Sequence, residues 1–331
     1  MLLAIKEDKV RKNCLQALFY AFLFSSLFCT ITCAEGAAGV TADTKIAVFY
    51  PDVRKPYNLF FDNIIEGIKN KTRAQVLTKS FTKTEKTVDT QNWLINNNPA
   101  VLILLGGSLK SVVSELKTPA KILYGATFFS DGEVKQKMNG VSITPDPITL
   151  FNELHKLNPR IKFIHVVFHP ETNGWLIAKA RQAATKSRIK LVEHPVANTQ
   201  QAATMYRTIA KTEKTTVNAL WLLQHEPTLD EKSLVPKILA DAWQNSQTVI
   251  SSNPAHVRRG ALLSILPDNV RLGEELAKAT DKLVKLQSVG IKPMPSELLV
   301  INTRTAKHLE LIISPTQESK FALVYPRKTN K

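Results

Sequence analysis

Residues 100–108 read AVLILLGGS, an alanine and five uninterrupted aliphatic side chains followed by two glycines and a serine. Such a run, without polar alternation, is typical of a strand that is buried on both faces of a parallel sheet. The glycines end the strand, and residues 109–116 predict a helix after them. The segment therefore predicts one strand-turn-helix unit of an open α/β sheet.

Short apolar runs and longer amphipathic stretches alternate in the same way on both sides of this segment. In the first half, strands are predicted at 46–50, 76–81, 121–124 and 140–143, and helices from Asn58 and at 87–96. In the second half, helices at 149–157, 175–187, 200–211 and 234–245 alternate with strands at 161–168, 189–192, 219–223 and 248–251. A strand at 260–265, a helix at 272–287, a strand at 297–302, a helix at 305–309 and a loose basic tail from 319 complete the chain. The pattern predicts an α/β fold of two Rossmann-like lobes, each with a parallel sheet.

The N-terminus has the composition of a secretory signal. Four basic residues between positions 6 and 12 precede an apolar run over 15–31, and small residues follow through Ala38. The run over 15–28 is shorter than the roughly 20 apolar residues that cross a bilayer, so cleavage is favoured over anchoring. We expect a signal peptide over residues 1–34, with cleavage up to about 38.

All three cysteines, Cys14, Cys29 and Cys33, lie in this leader. A cleaved chain would have no thiol, which excludes a disulfide scaffold, a thiolate zinc site and a catalytic cysteine from the body. An alternative makes Cys33 a lipoprotein cysteine, although residues 30–32 are a poor lipobox because Gly, Ala or Ser is usual next to the cysteine.

The chain is strongly basic, with 44 Lys and Arg against 28 Asp and Glu and a net charge of +16. In an exported protein this charge does not point to nucleic acid. Two interpretations stay open, a solvated basic surface that maintains solubility, and an anionic ligand or envelope surface.

Few motifs in the body suggest chemistry. The turn 106–108 could contact a carboxylate through free backbone amides, or it could be a plain tight turn capped by Ser108. Its spacing matches no nucleotide-binding motif. His165 and His169 lie on a predicted strand without an acidic partner at ligand spacing, so no metal is expected, and no hydrolase motif is present.

Five segments carry a resemblance to a known family. They are KIAVFY at 45–50, NGVSITP at 139–145, ALWLLQHEPTL at 219–229, VRRGALLSILPDNVRLGEELA at 257–277 and LVINTRTAKHLELII at 299–313. With these segments the chain resembles the substrate-binding proteins of ABC importers with the type I periplasmic-binding fold, in the branch that includes binders of tryptophan and other aromatic amino acids.

The resemblance implies two α/β lobes joined by three crossovers that close on a ligand. The first lobe is expected over residues 43–150 plus about 266–300, and the second over 151–265 plus about 301–331. No catalytic residue, metal or cofactor is expected.

The resemblance also implies which loops bind the ligand. In the first lobe it points to the loops that carry Tyr50, Gly107 with Ser108, and Phe129 with Asp131. In the second lobe the family's E-x-N-S turn matches residues 171–174, with Asn173 retained and the hydroxyl replaced by Gly174.

Other second-lobe positions depart from the family. His225 and Asn253 stand where the family has acids, while Asp268 is retained. An ammonium group needs a carboxylate acceptor, so the two losses put an ordinary amino acid ligand in doubt. Asp131, Glu226 or Asp268 could substitute.

Aromatic rings at strand ends could sandwich a ring-bearing ligand. We expect Tyr50 and Trp221 to stack on it. The full expected ligand-binding set is Tyr50, Gly107, Ser108, Phe129, Asp131, Asn173, Trp221, His225 and Asp268.

These observations predict an exported, periplasmic solute-binding protein that captures a small molecule for an ABC importer. The candidate ligands are aromatic or carboxylate-bearing, amino-acid-like compounds. The expected partner is the transporter permease, nucleic acid is not expected, and the cleaved protein is expected to be a monomer outside the membrane. An alternative is that the fold serves as an envelope sensor or assembly partner with a degenerate cleft; an enzyme is a third, less supported hypothesis.

Overall fold

The computed structural model describes residues 39–82, 86–211 and 215–327. The expected signal peptide, its cysteines and the last four residues lie outside these ranges. Within them no helix is long and apolar enough to cross a membrane.

Thirteen strands are present in the described ranges. In chain order they are β1 (Lys45–Pro51), β2 (Gln75–Phe81), β3 (Val101–Leu105), β4 (Lys121–Thr127), β5 (Gly140–Pro145), β6 (Phe163–Phe168), β7 (Lys190–Pro195), β8 (Asn218–Leu222), β9 (Thr248–Ser251), β10 (Leu263–Ile265), β11 (Ile291–Met294), β12 (Leu299–Asn302) and β13 (Leu323–Tyr325).

Twelve α-helices connect them in the same ranges. They are α1 (Asn58–Lys71), α2 (Thr87–Asn97), α3 (Lys110–Val113), α4 (Asp131–Lys135), α5 (Pro147–Leu157), α6 (Pro170–Lys186), α7 (Thr199–Ala210), α8 (Leu234–Gln244), α9 (Ala255–Arg259), α10 (Asn269–Val284), α11 (Thr303–His308) and α12 (Pro315–Glu318). Two 3₁₀ turns cover Gly107–Leu109 and Thr215–Val217.

The strands form two sheets, as predicted. The first has six strands in the order β11-β5-β4-β3-β1-β2, and the second has seven in the order β13-β12-β10-β9-β8-β6-β7. Every pairing is parallel except that between β10 and β12. The chain passes between the sheets three times, after β5, after β10 and after β11.

Strand β3 is fully buried between β1 and β4, which explains its unbroken apolar run. Its alternate side chains point to opposite faces of the sheet. Val101, Ile103 and Leu105 pack with α1 and α10, whereas Leu102 and Leu104 join a second cluster with Phe49, Phe81 and Trp93.

Helices α1 and α10 pack against each other at two glycines. A Cβ atom on Gly67 would lie 1.9 Å from the carbonyl oxygen of Val270, and one on Gly273 would lie 2.0 Å from that of Ile64. The two helix backbones therefore touch at these positions, and any side chain larger than that of glycine would push them apart. This contact holds a helix from late in the chain on the first sheet, whose remaining helices come from residues 58–135.

Two local predictions were wrong, and one strand was not predicted. The helix expected at 109–116 is a 3₁₀ turn followed by the four-residue α3, because the hydroxyls of Ser111 and Ser114 donate to carbonyls three residues earlier and compete with helical bonding. The tail is not loose throughout, since β13 pairs with β12. Strand β11 was missed because Pro293 interrupts it, which is tolerated at the edge of the sheet.

The division of the chain into lobes stays a prediction. The strand positions bear on it in one place: β11 pairs in the first sheet, while β12, which begins at Leu299, pairs in the second.

Replacing either glycine of the α1–α10 contact by alanine should destabilise the protein. Overpacking a close contact costs about 1–3 kcal/mol or more, and here the obstructing atoms are backbone. We expect Gly67→Ala and Gly273→Ala each to lower the free energy of unfolding by at least this amount, measured by urea denaturation. Gly132→Ala, in α4 with its nearest atom 3.8 Å from the added Cβ, is the control and should change stability little. Parent-like stability of both variants would contradict the role of the contact.

Two histidines on neighbouring strands form a half-buried, stacked pair. His165 Nδ1 lies 3.0 Å from His194 Nε2, and the rings are stacked. Burial lowers the pKa of both imidazoles, and His165 lowers that of His194 further. The unfolded chain binds these protons at about pH 6.5 while the folded chain resists them, so stability is lost as pH falls below that value.

The pair should therefore contribute to acid sensitivity. Between pH 7.5 and 5.0, the fall in Tm should be about 2–4 °C smaller in His194→Gln than in the parent, because one imidazole that resists protonation is gone. His155→Gln, outside the pair, is the control and should retain the parental pH dependence. An unchanged pH dependence in His194→Gln would rule out the pair as a source of acid sensitivity.

Candidate functional site

The site is built from loops at the carboxyl ends of parallel strands, where open α/β folds bind ligands. The first sheet contributes Tyr50 at the end of β1, the turn after β3 and the loop 128–131 after β4. The second sheet contributes residues 169–174 after β6, the loop 224–226 after β8 and Asp268 after β10.

The turn after β3 depends on glycine. Gly106 has φ of +93°, a conformation that other residues avoid, and a Cβ there would lie 3.3 Å from Pro51. Gly107 and Ser108 are exposed, and the Ser108 hydroxyl caps no helix. Because α3 has only four residues, the turn presents its local amides without a long helix dipole behind them.

The loop 128–131 already touches the second sheet's elements. The Trp175 indole Nε1 donates a 2.8 Å hydrogen bond to the carbonyl oxygen of Phe129. The Phe128 ring stacks on His225, with centroids 4.5 Å apart and planes 8° from parallel. A Cβ on Gly174 would lie 3.1 Å from a carboxylate oxygen of Asp131. The hydroxyl that the family resemblance implies at position 174 is absent. Instead, the backbone of Gly174 lies close to the Asp131 carboxylate.

A capping box and a lysine shape this loop. The Ser130 hydroxyl accepts from the amide of Glu133, and the Glu133 carboxylate accepts from the amide of Ser130. Lys110 Nζ donates to the carbonyl of Phe128 at 2.7 Å and to Glu133 at 2.6 Å. Burial raises the pKa of Glu133, but hydrogen bonds from Lys110 and Ser130 outweigh it and hold the pKa below its usual value. The S-x-x-E pattern at 130–133 could have revealed α4 from sequence.

Glu226 is the buried carboxylate among the strand-end loops of the second sheet, with 7% of its surface exposed. One oxygen accepts from the amide of His169 at 3.0 Å and from Asn173 Nδ2 at 2.9 Å. The other accepts from the amide and hydroxyl of Thr228 at 3.0 and 2.7 Å. Both oxygens are engaged by the protein, so Glu226 and Asn173 fasten the two loops together.

His225 adopts a left-handed backbone conformation, with φ of +54°, which is uncommon for a residue other than glycine. Its carbonyl accepts from Asn173 Nδ2 at 3.3 Å, and its exposed ring lies against Phe128. Local strain of this kind is often found at binding sites.

The other expected carboxylates also have protein partners. Asp131 forms a 2.8 Å ion pair with Lys135. Asp268 caps α10 by accepting from the amide of Arg271 at 2.9 Å. No carboxylate of the expected set is left entirely to a ligand.

Two of the aromatic side chains in the expected ligand-binding set are buried in the hydrophobic core. Trp221 is 0% exposed; its ring meets Phe151 edge-on in the core, and its Nε1 donates to Ser252. Phe129 is also buried, packed in the same cluster. The side chains at central positions of β8 point into the core rather than to the end of the strand. Tyr50, half-buried near Phe61, and Phe128 are the rings that remain at strand ends.

A serine, a histidine and a glutamate are aligned beside this site. Ser251 Oγ lies 2.8 Å from His256 Nδ1, and His256 Nε2 lies 2.9 Å from both oxygens of Glu231. Ser251 and His256 are both completely buried, and the Ser251 hydroxyl also contacts the carbonyl of Leu222 and the amide of Asn253. No substrate could reach this oxygen, so the three side chains tie β9 to the loops around it.

In the described ranges no three His, Cys, Asp or Glu side chains are grouped so that they could hold a metal ion. The side chain of His165 pairs with His194 and not with His169.

One solved structure supports the fold, and two further structures are similar to this chain at lower scores. A ligand-free, open substrate-binding protein with adhesive properties from Clostridium difficile aligns over 86% of this chain and 100% of its own, with 15% identity and a TM-score of 0.55. An ABC domain from Streptococcus pneumoniae in complex with L-Trp aligns over 85% and 99%, with 17% identity and a TM-score of 0.49. A conserved domain protein from Vibrio cholerae aligns over 85% and 99%, with 19% identity and a TM-score of 0.48.

Comparison with curated protein sequences gave no significant match. The family model described as ABC transporter substrate binding protein matches residues 65–322, which is more than half of the chain. The match covers nearly all the strands of both sheets and the loops at their carboxyl ends. The chain belongs to the family of ABC transporter substrate-binding proteins.

Proposed function

We propose that this protein is exported, captures a small molecule between its two lobes and delivers it to the permease of an ABC importer. The observation that carries the proposal is the meeting of strand-end loops from both sheets, at the Phe128–His225 stack and the Trp175–Phe129 hydrogen bond. A ligand that separated and then bridged these loops would shift the equilibrium between open and closed forms.

The ligand we propose is planar and neutral or carboxylate-bearing, without an ammonium group. Both oxygens of Glu226 accept from the protein's own donors, and one oxygen each of Asp131 and Asp268 does. A desolvated ammonium group without a carboxylate would cost several kcal/mol. Tyr50 and Phe128 offer ring faces, and the exposed turn of Gly107 and Ser108 offers amides to an anionic group.

A ligand panel tests this proposal. Ligand-stripped protein should be stabilised by aromatic carboxylates such as benzoate, phenylacetate or indole-3-acetate more than by phenylalanine or tryptophan, in thermal-shift and calorimetric titrations. At 100 times Kd a ligand contributes about 2.7 kcal/mol to stability, which is readily detected. Phe128→Ala should weaken binding about tenfold, the effect of losing one ring contact.

The control for Phe128→Ala is Ile95→Ala, on the exposed face of α2, which should bind as the parent does. Stronger binding of the amino acids than of the carboxylates would refute the ligand class. A folded protein that responds to no compound in a broad amino acid, purine and organic-acid panel would contradict solute capture.

One observation favours a second candidate, an envelope sensor or assembly partner that reuses the fold. Glu226 and Asn173 satisfy each other, so part of the site has no need of a ligand. This candidate predicts no response to the panel and a specific partner other than a permease in pull-downs from envelope extracts. Recovery of a permease alone would count against it.

We further propose that the protein is periplasmic after cleavage of residues 1–34, with cleavage up to about 38. Mass spectrometry of protein from the periplasmic fraction measures this directly, because cleavage removes all three cysteines. We expect a thiol-free mature chain that begins between residues 35 and 39. A diacylglycerol-modified Cys33 at the new N-terminus would instead support the lipoprotein alternative, and an intact leader would contradict both.

A further inference from the structure

A basic cavity of about 630 Å³ lies on the first lobe, away from the strand-end loops. It is bounded by the C-terminal end of α1, the C-terminal half of α10 and the edge strand β11. Helices that follow parallel strands run back toward the strands' amino ends. The C-terminus of α1 therefore lies near the amino ends of the strands. The cavity is therefore at the amino ends of the strands, whereas the proposed ligand site is at their carboxyl ends.

Cations outnumber carboxylates in its lining. We call the cavity the lysine groove; its basic residues are Lys71, Arg73, Lys278, Lys282, Lys285 and Lys292. The carboxylates in the lining are Glu275 and Asp281. The groove therefore carries an excess of four positive charges.

The two carboxylates are already used within the groove. Lys278 pairs with Glu275, and Lys285 pairs with Asp281 at 2.9 Å on the next turns of α10. Among the ion pairs of the described residues, none includes Lys282 or Lys292.

Lys282 and Lys292 both line the lysine groove. Lys292 is half-buried on β11, and its pKa is lowered first by burial and then by the neighbouring Lys282, with Lys179 of α6 adding to the effect and Glu275 opposing it. Lys282 is exposed and Lys292 is half-buried, and their like charges repel each other across the groove. An anion between them would remove this repulsion and supply the missing acceptors.

We propose that the lysine groove binds phosphate-class anions, namely phosphate esters or diphosphates, with Lys282 and Lys292 as the principal contacts. Ammonium groups act as point charges that suit phosphate oxygens without requiring one fixed geometry. Lys71 and Arg73, on the opposite wall, are placed to contact a second anionic group. The cavity exceeds the size of one phosphate, so it has room for the organic part of an ester.

The same chemistry is offered by a soluble phosphate compound and by an anionic lipid headgroup. Titration of the isolated protein with pyrophosphate by calorimetry at low salt tests the first source. Co-sedimentation with vesicles that contain phosphatidylglycerol, against vesicles of phosphatidylcholine alone, tests the second. Binding to either probe, weakened by added salt, is the expected result.

The decisive variant is Lys282→Gln with Lys292→Gln, which removes both charges and keeps most of each side chain. It should weaken binding at least tenfold and should be no less stable than the parent, since a repulsion is removed. The control is Lys162→Gln with Lys190→Gln, two exposed lysines of the second lobe, which lowers the net charge equally. It should bind within about twofold of the parent.

Three results would overturn the proposal. They are an absence of binding to pyrophosphate and to anionic vesicles at low salt, an equal loss of binding in the control, and full retention of binding in the groove variant. The last result would place any bound phosphate at another site, such as the strand-end loops. The groove and those loops lie at opposite ends of the strands. The ligand panel can therefore fail while this test succeeds, and this test can fail while the panel succeeds.

Discussion

The contact between α1 and α10 at Gly67 and Gly273 is the constraint on which the architecture depends. It lets two helices from distant parts of the sequence approach until their backbones touch, because neither glycine carries a side chain. Strands β6 to β10 of the second sheet precede α10 in the chain. The glycine contact then holds α10 on the first sheet. From there β11 completes the edge of the first sheet before the chain returns to β12. Two of the three passages between the sheets, after β10 and after β11, follow from that return.

The strand-end loops owe their shape to groups that satisfy one another. Glu226 accepts four hydrogen bonds from His169, Asn173 and Thr228, and in a low-dielectric setting such a network is stable only when it is complete. Lys110 and Glu133 organise the facing loop in a similar way. The loops are thus preorganised, and the side chains left for a ligand are chiefly rings and backbone amides.

Part of the net charge of +16 is concentrated at one place in the structure. An excess of four positive charges lies in one cavity, although no run of like charges marks it in the sequence. The reason is geometric: lysines one turn apart on α10 and a lysine on β11 converge only because that helix packs beside the edge strand. Interpreting the charge as a uniformly solvated surface misses this concentration.

The sequence by itself determined the α/β class and most of the helices and strands, because apolar periodicity reflects burial directly. The run 101–105 is apolar on both faces because β3 is covered on both faces. It also determined that Gly107, Ser108 and the loop 128–131 lie at strand ends. Only the tertiary structure decided the rest: that Trp221 is core, that Asn173 and Glu226 engage each other, and that Lys282 and Lys292 line one cavity. These outcomes depend on contacts between segments far apart in the chain, and local sequence patterns carry no information about which distant partner a side chain will meet.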